Sequence, residues 1–363
     1  MKKKILTLTL IATTLFTLAG CSKNDSKDPE PVSTQAQAYE IDAYENEADE
    51  TEAYEMDAYE KDADETENYE TEASSPVTFV DALSREVTVD SPKRVAVLLG
   101  SFADVWVLAG GEVSATVKDA WTSFDLNLSE DVVNVGSFLE PDLEKLFDAE
   151  PDFIIASAGT SSQVELLDVF ENSGITTAYF EVSKFEDYLG VLETFTQITG
   201  NSDSYKKYGE DVADSIEAVR QRAKKEIDEI KAVEGEAPTV LFIRAAASSV
   251  KAKGSKGTVG GEILADLGLI NIADSDEGLL EDISLEAIVA ADPDYIFVTT
   301  QGEDTEAALA NVAELFSSNP AWSELTAVKS GRYFEIEKEL YNSKPNARWG
   351  EAYEKLANYI FGE

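Results

Sequence analysis

The stretch LEKLFDAEPDFIIA at residues 143–156 returns 142 residues later as LEAIVAADPDYIFV at residues 285–298. Six of the fourteen aligned positions are identical, and most of the others exchange similar residues. Each copy predicts a short helix, a Pro-Asp turn and a buried strand. Two such units in one chain predict two halves of related fold.

Short apolar runs alternate with helical patterns from Thr78 to the end of the chain, which is typical of βαβ units and parallel sheets. The predicted strands are Val95–Leu99, Phe153–Ser157, Thr177–Phe180, Thr239–Ile243, Tyr295–Thr299 and Tyr333–Ile336. The predicted fold class is therefore α/β, with two similar lobes that each contain a central, mostly parallel sheet.

One long amphipathic segment separates the two copies. Between Ser202 and Val233 the apolar residues recur every three or four positions, and Gly235 and Pro238 follow as stop signals. We expect one helix at residues 202–234 that joins an N-terminal lobe (76–201) to a C-terminal lobe (235–363). A coiled-coil dimer is the alternative use of the apolar stripe, but sustained heptads are missing.

The first twenty residues form an export signal. Three lysines precede an apolar run from Ile5 to Phe16, and Leu18-Ala-Gly-Cys21 follows. This ending resembles the bacterial lipoprotein signal, in which the cysteine is lipidated and becomes the mature N-terminus. Cys21 is also the only cysteine. The resemblance implies a protein anchored to the membrane by lipid at its extracytoplasmic face, on a Gram-positive-type cell surface. An ordinary signal peptide is the alternative.

An acidic repeat follows the cysteine. Residues 38–52 and 53–67 repeat with a period of fifteen, and residues 38–72 contain sixteen acids and one base. Such a charge density prevents burial of a core and favours an extended chain. We interpret residues 21–75 as a disordered tether, with cell-wall or cation contact as the alternative.

Composition excludes several function classes. The 363 residues carry a formal charge of −43, with 72 acids against 29 bases, and include no histidine, one cysteine and two methionines. This balance argues against a nucleic-acid partner, since such proteins neutralise phosphates with Lys and Arg. The absence of histidine excludes a Ser-His-Asp triad and histidine-ligated zinc or haem.

Several phrases in the two halves resemble one family of proteins. They are Val135-Gly136, Glu140–Leu146, Glu150–Ile154, Gly257–Gly268, Ser284–Ile288, and Trp322 with Gly331–Tyr333. In order and spacing they are similar to the substrate-binding lipoproteins of ATP-driven (ABC) importers, in the class that carries iron chelates, haem and cobalamin. The resemblance covers residues 77–361 and implies binding without catalysis, no resident cofactor and no metal site of the protein's own.

The resemblance also implies partners. In this family an acid on each lobe docks onto arginines of the permease transmembrane subunits, and the matching positions here are Glu144 and Glu286. The alternative role for each acid is a favourable interaction with the dipole of a helix N-terminus. We expect a monomer that captures a ferric-siderophore-type chelate between its lobes.

Ligands of open α/β sheets bind at the carboxyl ends of the strands. The residues predicted on this basis to contact the ligand are Ser101, Phe102, Trp121, Phe124, Arg244, Lys253, Gln301, Tyr341, Lys344 and Arg348. Cations suit an anionic chelate, and aromatic walls suit its planar groups. An internal salt bridge for Arg244, a solvated loop for Lys253, packing for Trp121 and helix capping for Arg348 remain alternatives.

Two other functions remain open from the sequence. The same fold could bind haem, with Tyr341 as iron ligand, or a corrinoid. The abundant acids also leave open a surface hydrolase with a pair of catalytic carboxylates, although no particular pair is indicated.

Overall fold

The computed structural model describes residues 75–275, 278, 284–318 and 320–362, all within one compact unit. The predicted signal peptide, Cys21 and nearly all of the predicted tether therefore lie outside the described residues. The described chain opens with an antiparallel hairpin of β1 (Val77–Val80) and β2 (Glu86–Val89).

The N-terminal half contains a sheet of five parallel strands in the order β5-β4-β3-β6-β7. They are β3 (Val95–Val97), β4 (Ala115–Thr116), β5 (Val133–Asn134), β6 (Phe153–Ser157) and β7 (Thr176–Phe180). The three predicted strands of this half are confirmed. The two-residue strands β4 and β5 were not predicted, because so short a run carries no periodicity.

The C-terminal half contains a second five-stranded sheet, in the order β10-β8-β11-β12, and β9 is paired to β8. Its strands are β8 (Thr239–Ala246), β9 (Ser249–Lys253), β10 (Ile270–Asn271), β11 (Tyr295–Thr300) and β12 (Tyr333–Ile336). All pairs are parallel except β8 with β9. The three predicted strands are confirmed, and β8 extends three residues beyond its predicted end.

Helices connect the strands and cover both sheets. They are α1 (Gly100–Leu108), α2 (Asp119–Thr122), α3 (Leu143–Asp148), α4 (Ser161–Val164), α5 (Leu167–Ser173), α6 (Phe185–Thr199), α7 (Ser202–Tyr205), α8 (Asp211–Glu234), α9 (Val259–Asp266), α10 (Leu285–Ala291), α11 (Thr305–Ser317), α12 (Thr326–Lys329), α13 (Lys338–Tyr341) and α14 (Trp349–Phe361). One-turn 3₁₀ segments lie at Ile272–Asp274, Pro320–Glu324 and Asn346–Arg348.

The predicted connecting helix is present but not uniform. A π-helical turn at Lys206–Glu210 joins α7 to α8. Gly209 is buried in this turn, and a side chain there would come within 3.3 Å of Leu189 on α6. In α8 the predicted stripe faces inward, with Ile216, Val219, Ala223 and Ile227 buried. Gly235 ends the helix in the left-handed conformation at φ 93°.

The internal repeat has one structure in both halves. The side chains of Asp142 and Ser284 cap α3 and α10 by accepting the amides of Lys145 and Ala287, at 3.2 and 3.3 Å. Glu150 and Asp292 both take left-handed backbone angles before the proline, with φ 48° and 41°. The aspartates that follow, 152 and 294, both accept backbone amides at the amino ends of the central strands β3 and β8.

Three apolar clusters form the core. One lies on the outer face of the C-terminal sheet, and one lies on the outer face of the N-terminal sheet. The largest includes Val97 and Phe153 of the N-terminal sheet, Phe242 and Phe297 of the C-terminal sheet, and Ile216 of α8. The inner faces of the two sheets thus share one continuous cluster with the long helix.

These features confirm the predicted fold class, an α/β protein with two related parallel sheets and one long connecting helix. The lobe boundaries at residues 201 and 235 stay predictions.

Candidate functional site

The carboxyl edges of the two sheets approach each other directly. Lys118, just after β4, places its Nζ 3.1 Å from Oε1 of Glu303, which follows β11. We call the space between these edges the cleft. Strand ends of parallel sheets are where such folds bind ligands, so the cleft is the candidate site.

A buried asparagine joins the halves beneath this edge. Asn346 Nδ2 donates to the Ser101 carbonyl oxygen at 2.9 Å and to Asp104 Oδ2 at 2.8 Å. Burial raises the pKa of Asp104, and the bond from Asn346 opposes that increase. Asn346 is 1% exposed and has φ 52°, a left-handed angle that asparagine tolerates. The C-terminal segment is thereby fixed to α1.

We expect Asn346→Gly to lower the free energy of unfolding by about 1–3 kcal/mol, because it leaves a buried carboxylate and a buried carbonyl unsatisfied. Glycine keeps the left-handed backbone without strain, so the loss reports the side chain. Thermal denaturation followed by circular dichroism measures the effect. Asn127→Gly, at an exposed position, is the control. Equal melting temperatures for the two variants would contradict the assigned role.

A cavity of about 500 Å³ opens between the halves. It is lined by Glu181, Ser183, Lys184, Asp187, Lys256 and Glu262. The residues numbered 181–187 follow β7 in the N-terminal half. In the C-terminal half, Lys256 lies between β9 and α9, and Glu262 lies on α9. This volume is within the range of about 300–1,000 Å³ that is usual for small-molecule sites.

Three cations share one face of the C-terminal sheet, and we call them the cationic face: Arg244, Lys251 and Lys253. Arg244 on β8 lies directly opposite Lys251 on β9, and Lys253 lies opposite Phe242 two residues along the same face. Burial lowers the pKa of Arg244. Burial, followed by the charges of Arg244 and Lys251, lowers the pKa of Lys253.

Arg244 is half-buried and has no acidic partner within ion-pair distance in the part of the chain that the structure describes. Removing a guanidinium from water without an opposite charge is unfavourable. The internal salt bridge considered from the sequence is thus not present among the described residues. The arrangement suits an anion supplied from outside the chain.

A fourth cation lies between the halves. Burial lowers the pKa of Lys344, while the charges of Glu181 and Asp119 act in the opposite direction. Its Nζ lies 6.0 Å from the ring centre of Phe102. Lys344 therefore brings a positive charge from the C-terminal segment to carboxylates of the N-terminal half.

Asp119 binds the backbone at the start of α1, just after β3. Its two carboxylate oxygens accept the Gly100 amide, each at 3.2 Å, at the start of α1. Burial raises the pKa of Asp119, and the bond from Gly100 acts against this rise. A Cβ on residue 100 would lie 2.7 Å from the Ala120 backbone nitrogen, so only glycine fits there.

Three predicted ligand contacts are wrong. Ser101 and Phe102 are 3% and 0% exposed, because β3 ends at Val97 and α1 turns both side chains into the core. Tyr341 is 1% exposed, and its hydroxyl donates to the Ala352 carbonyl oxygen at 3.2 Å. A role for Tyr341 as ligand of a haem iron is excluded by this burial.

The other predicted contacts occupy varied positions. Trp121 and Phe124 are partly exposed, in α2 and just after it, and Gln301 is exposed at the end of β11. Arg348 is exposed at the first position before α14 and makes no side-chain capping bond there, so the capping alternative is not found. It forms two bonds to Glu351 instead, at 2.7 and 2.9 Å. Lys253 lies in strand β9, so the alternative of a solvated loop is wrong for it.

Sequence reasoning missed several residues of the cleft. Glu181 and Ser183 follow the predicted strand β7, so the strand-end rule applied to Phe180 could have found them. Lys118 and Glu303 were missed because β4 was not predicted and because a contact between residues 185 positions apart leaves no local signal.

The two acids of the internal repeat are placed equivalently. Glu144 and Glu286 are both exposed and both lie in the first turn of their helices, α3 and α10. Neither carboxylate has an ion-pair partner among the residues that the structure describes. The halves therefore present one matched acidic position each.

The described residues lack two features, a cluster of metal-binding side chains and a membrane-spanning helix. They contain no group of three or more His, Cys, Asp or Glu side chains that could hold a metal ion. Within the same residues, no helix has the length and apolar character that crossing a membrane requires.

Two related parallel sheets, one long connecting helix and a cavity between the halves define a class of bilobal solute-binding proteins. Residues 95–340 match the family described as periplasmic binding protein. This match covers more than half of the chain, and the chain belongs to that family.

Named relatives share a moderate identity with this chain. The Fe(3+)-citrate-binding protein YfmC of Bacillus subtilis is 26% identical over 257 residues, which are 69% of this chain and 75% of that protein. YvrC of the same organism, described as an uncharacterised ABC transporter substrate-binding lipoprotein, is 25% identical over 292 residues, or 79% of this chain and 86% of that protein.

A solved structure shows the same fold. Staphylococcus aureus SirA, crystallised in complex with staphyloferrin B, superposes with a TM-score of 0.58 at 21% identity. The match covers 78% of this chain and 97% of SirA.

Proposed function

We propose that this protein is the extracytoplasmic solute-binding lipoprotein of an ABC importer. It captures an anionic ferric chelate in the cleft and delivers it to the permease. It binds its ligand and catalyses no reaction, and the iron arrives as cargo. Family membership, the iron-citrate ligand in the name of one relative and the siderophore in the SirA complex support this proposal.

The observation that carries the proposal is the half-buried Arg244 guanidinium without an acidic partner in the described chain. On a protein with a formal charge of −43, three cations lie on one face of two neighbouring strands, and Arg244 is only two residues from the carboxyl end of β8. Carboxylate or catecholate oxygens of a ferric chelate would supply the missing negative charge, and a planar guanidinium can bind two such oxygens at once.

We propose Glu144 and Glu286 as the contacts to the permease. Two exposed carboxylates at repeat-related positions match a partner whose two subunits present the same arginines around a two-fold axis. The lobes that carry them are residues 76–201 and 235–363, joined by residues 202–234. This division is supported by the two separate sheets.

We also propose that lipid on Cys21 holds the mature protein on the outer face of the membrane, with residues 21–75 as its tether. The lipoprotein description of YvrC supports this location. We propose that the protein acts as a monomer, since one chain carries both docking acids and the lipid attachment site.

Cys21→Ser is expected to release the protein from membranes into the medium, because it removes the only lipid attachment point in the sequence. Fractionation of expressing cells with an antibody against the folded part measures the distribution. Ser22→Ala is the matched control and should stay in the membrane fraction. Retention of the serine variant in membranes would contradict the anchor.

The ligand class is tested by titrating the purified protein with ferric citrate, a ferric hydroxamate, a ferric catecholate, haemin and cobalamin. The change in tryptophan fluorescence is the readout, because Trp121 is partly exposed in α2. We expect saturable binding of at least one anionic ferric chelate and none of cobalamin. Exclusive binding of haemin or cobalamin would change the ligand class. Hydrolysis of model glycosides without any chelate binding would show that the protein is an enzyme rather than a receptor.

A further inference from the structure

One ion pair spans the cleft. Lys118 Nζ and Glu303 Oε1 lie 3.1 Å apart, although the residues belong to opposite halves. Lys118 follows β4 by two residues, and Glu303 follows β11 by three. The pair thus connects the two edges between which a ligand enters.

The backbones on both sides are held by other bonds. The Lys118 amide donates to the Gly136 carbonyl oxygen at 2.7 Å. On the opposite side, Lys338 Nζ donates to the Gly302 carbonyl oxygen at 3.0 Å, and Gly302 turns the chain with φ 89°. The side chains can therefore separate while the two loops keep their places.

The pair is easily displaced. The side chains of Lys118 and Glu303 are 57% and 84% exposed. Ion pairs of such exposure contribute little to stability, because water and salt screen the attraction. An anion that binds several cations at once can replace the Glu303 carboxylate at low cost.

We propose that Glu303 is an internal substitute for an anionic oxygen of the ligand. It neutralises Lys118 while the cleft is empty, and an entering chelate displaces it and takes Lys118 as a ligand contact. The inference rests on the proposed function, since it needs an anionic ligand.

The arrangement also narrows the ligand class. Lys118 belongs to the N-terminal half, whereas Arg244, two residues before the end of β8, and Lys253 on β9 belong to the C-terminal half. A chelate that engages both sides must carry anionic oxygens on two sides. The structure therefore favours a polycarboxylate ferric chelate over one with a single anionic group.

The test compares dissociation constants for ferric citrate, a polyanionic probe, and for ferrioxamine B, a cationic one. Removal of the competing carboxylate by Glu303→Gln should tighten ferric citrate binding about two- to fivefold. Lys118→Gln should weaken it by a similar factor, and adding Glu303→Gln to that variant should give little further change. All these differences should shrink as salt is raised.

A matched control pair lies within the C-terminal half. Glu324 and Lys329 are 2.8 Å apart, with side-chain exposures of 73% and 54%. Glu324→Gln should leave both dissociation constants unchanged. Glu303→Gln should not tighten binding of the cationic ferrioxamine B, because the carboxylate that it removes does not compete with a cation.

Two outcomes overturn the inference alone. Weaker ferric citrate binding by Glu303→Gln, with faster dissociation, would mean that the pair closes over the ligand. Unchanged binding would mean that it plays no part. If the unaltered protein binds no anionic chelate, the proposed function fails, and the inference falls with it.

Discussion

A protein with both Glu144→Ala and Glu286→Ala is expected to bind its chelate with unchanged affinity and to lose transport about 100-fold or more. The expected loss of transport follows from the removal of two charge-assisted contacts to the permease, each of which contributes about 1.5–3 kcal/mol. Each single variant should retain an intermediate rate, because one contact remains. Uptake of iron-labelled chelate by cells that carry the permease measures transport, and fluorescence titration measures affinity.

The control for this experiment is Glu306→Ala. Glu306 is exposed in the first turn of α11, so it has the same relation to a helix dipole but no counterpart in the repeat. It should transport normally. Normal transport by the double variant, or a parallel loss of ligand affinity, would contradict docking through these acids. Thermal unfolding of the double variant should stay close to that of the unaltered protein, since both side chains are exposed.

Arg244→Gln is expected to weaken binding of the anionic chelate by about 2 kcal/mol or more, roughly 30-fold. The change removes the charge that would face the ligand, while the amide keeps part of the volume. Because Arg244 is half-buried without an acidic partner in the described chain, its replacement should leave the melting temperature of the ligand-free protein equal or higher.

Arg222→Gln is the matched control. This guanidinium is exposed on α8 and pairs with Glu354 at 3.0 Å, away from the strand ends. It should bind the chelate as the unaltered protein does. A lower melting temperature of Arg244→Gln with unchanged affinity would assign Arg244 a structural role and remove the main support for an anionic ligand.

The long buried strands could be predicted because their signal is local. Residues 153–156 and 295–298 are uninterrupted apolar runs that follow Pro-Asp turns, and both lie in strands of the structure. Strand β9 was missed because Lys251 and Lys253 suggested a solvated loop. Its alternation of polar and apolar residues becomes a strand only through pairing with β8, which is a tertiary effect.

The site was less predictable than the fold. The rule that ligands bind at strand ends selected Arg244, Lys253 and Lys344, whose contact with a ligand stays a prediction, but it also selected Ser101 and Phe102. A difference of two residues at the end of β3 decides whether those side chains face the cleft or the core. Tyr341 was misplaced for a related reason, since short helix α13 buries it beneath α14.

The apolar cluster shared by both inner faces has a consequence for release of the cargo. A wide hinge opening would expose residues such as Phe242 and Phe153 to water, which opposes large separation of the halves. The shared cluster thus opposes wide opening of the ligand-free protein. On the proposed function, we expect unloading to depend on contact with the permease rather than on thermal opening of the protein alone.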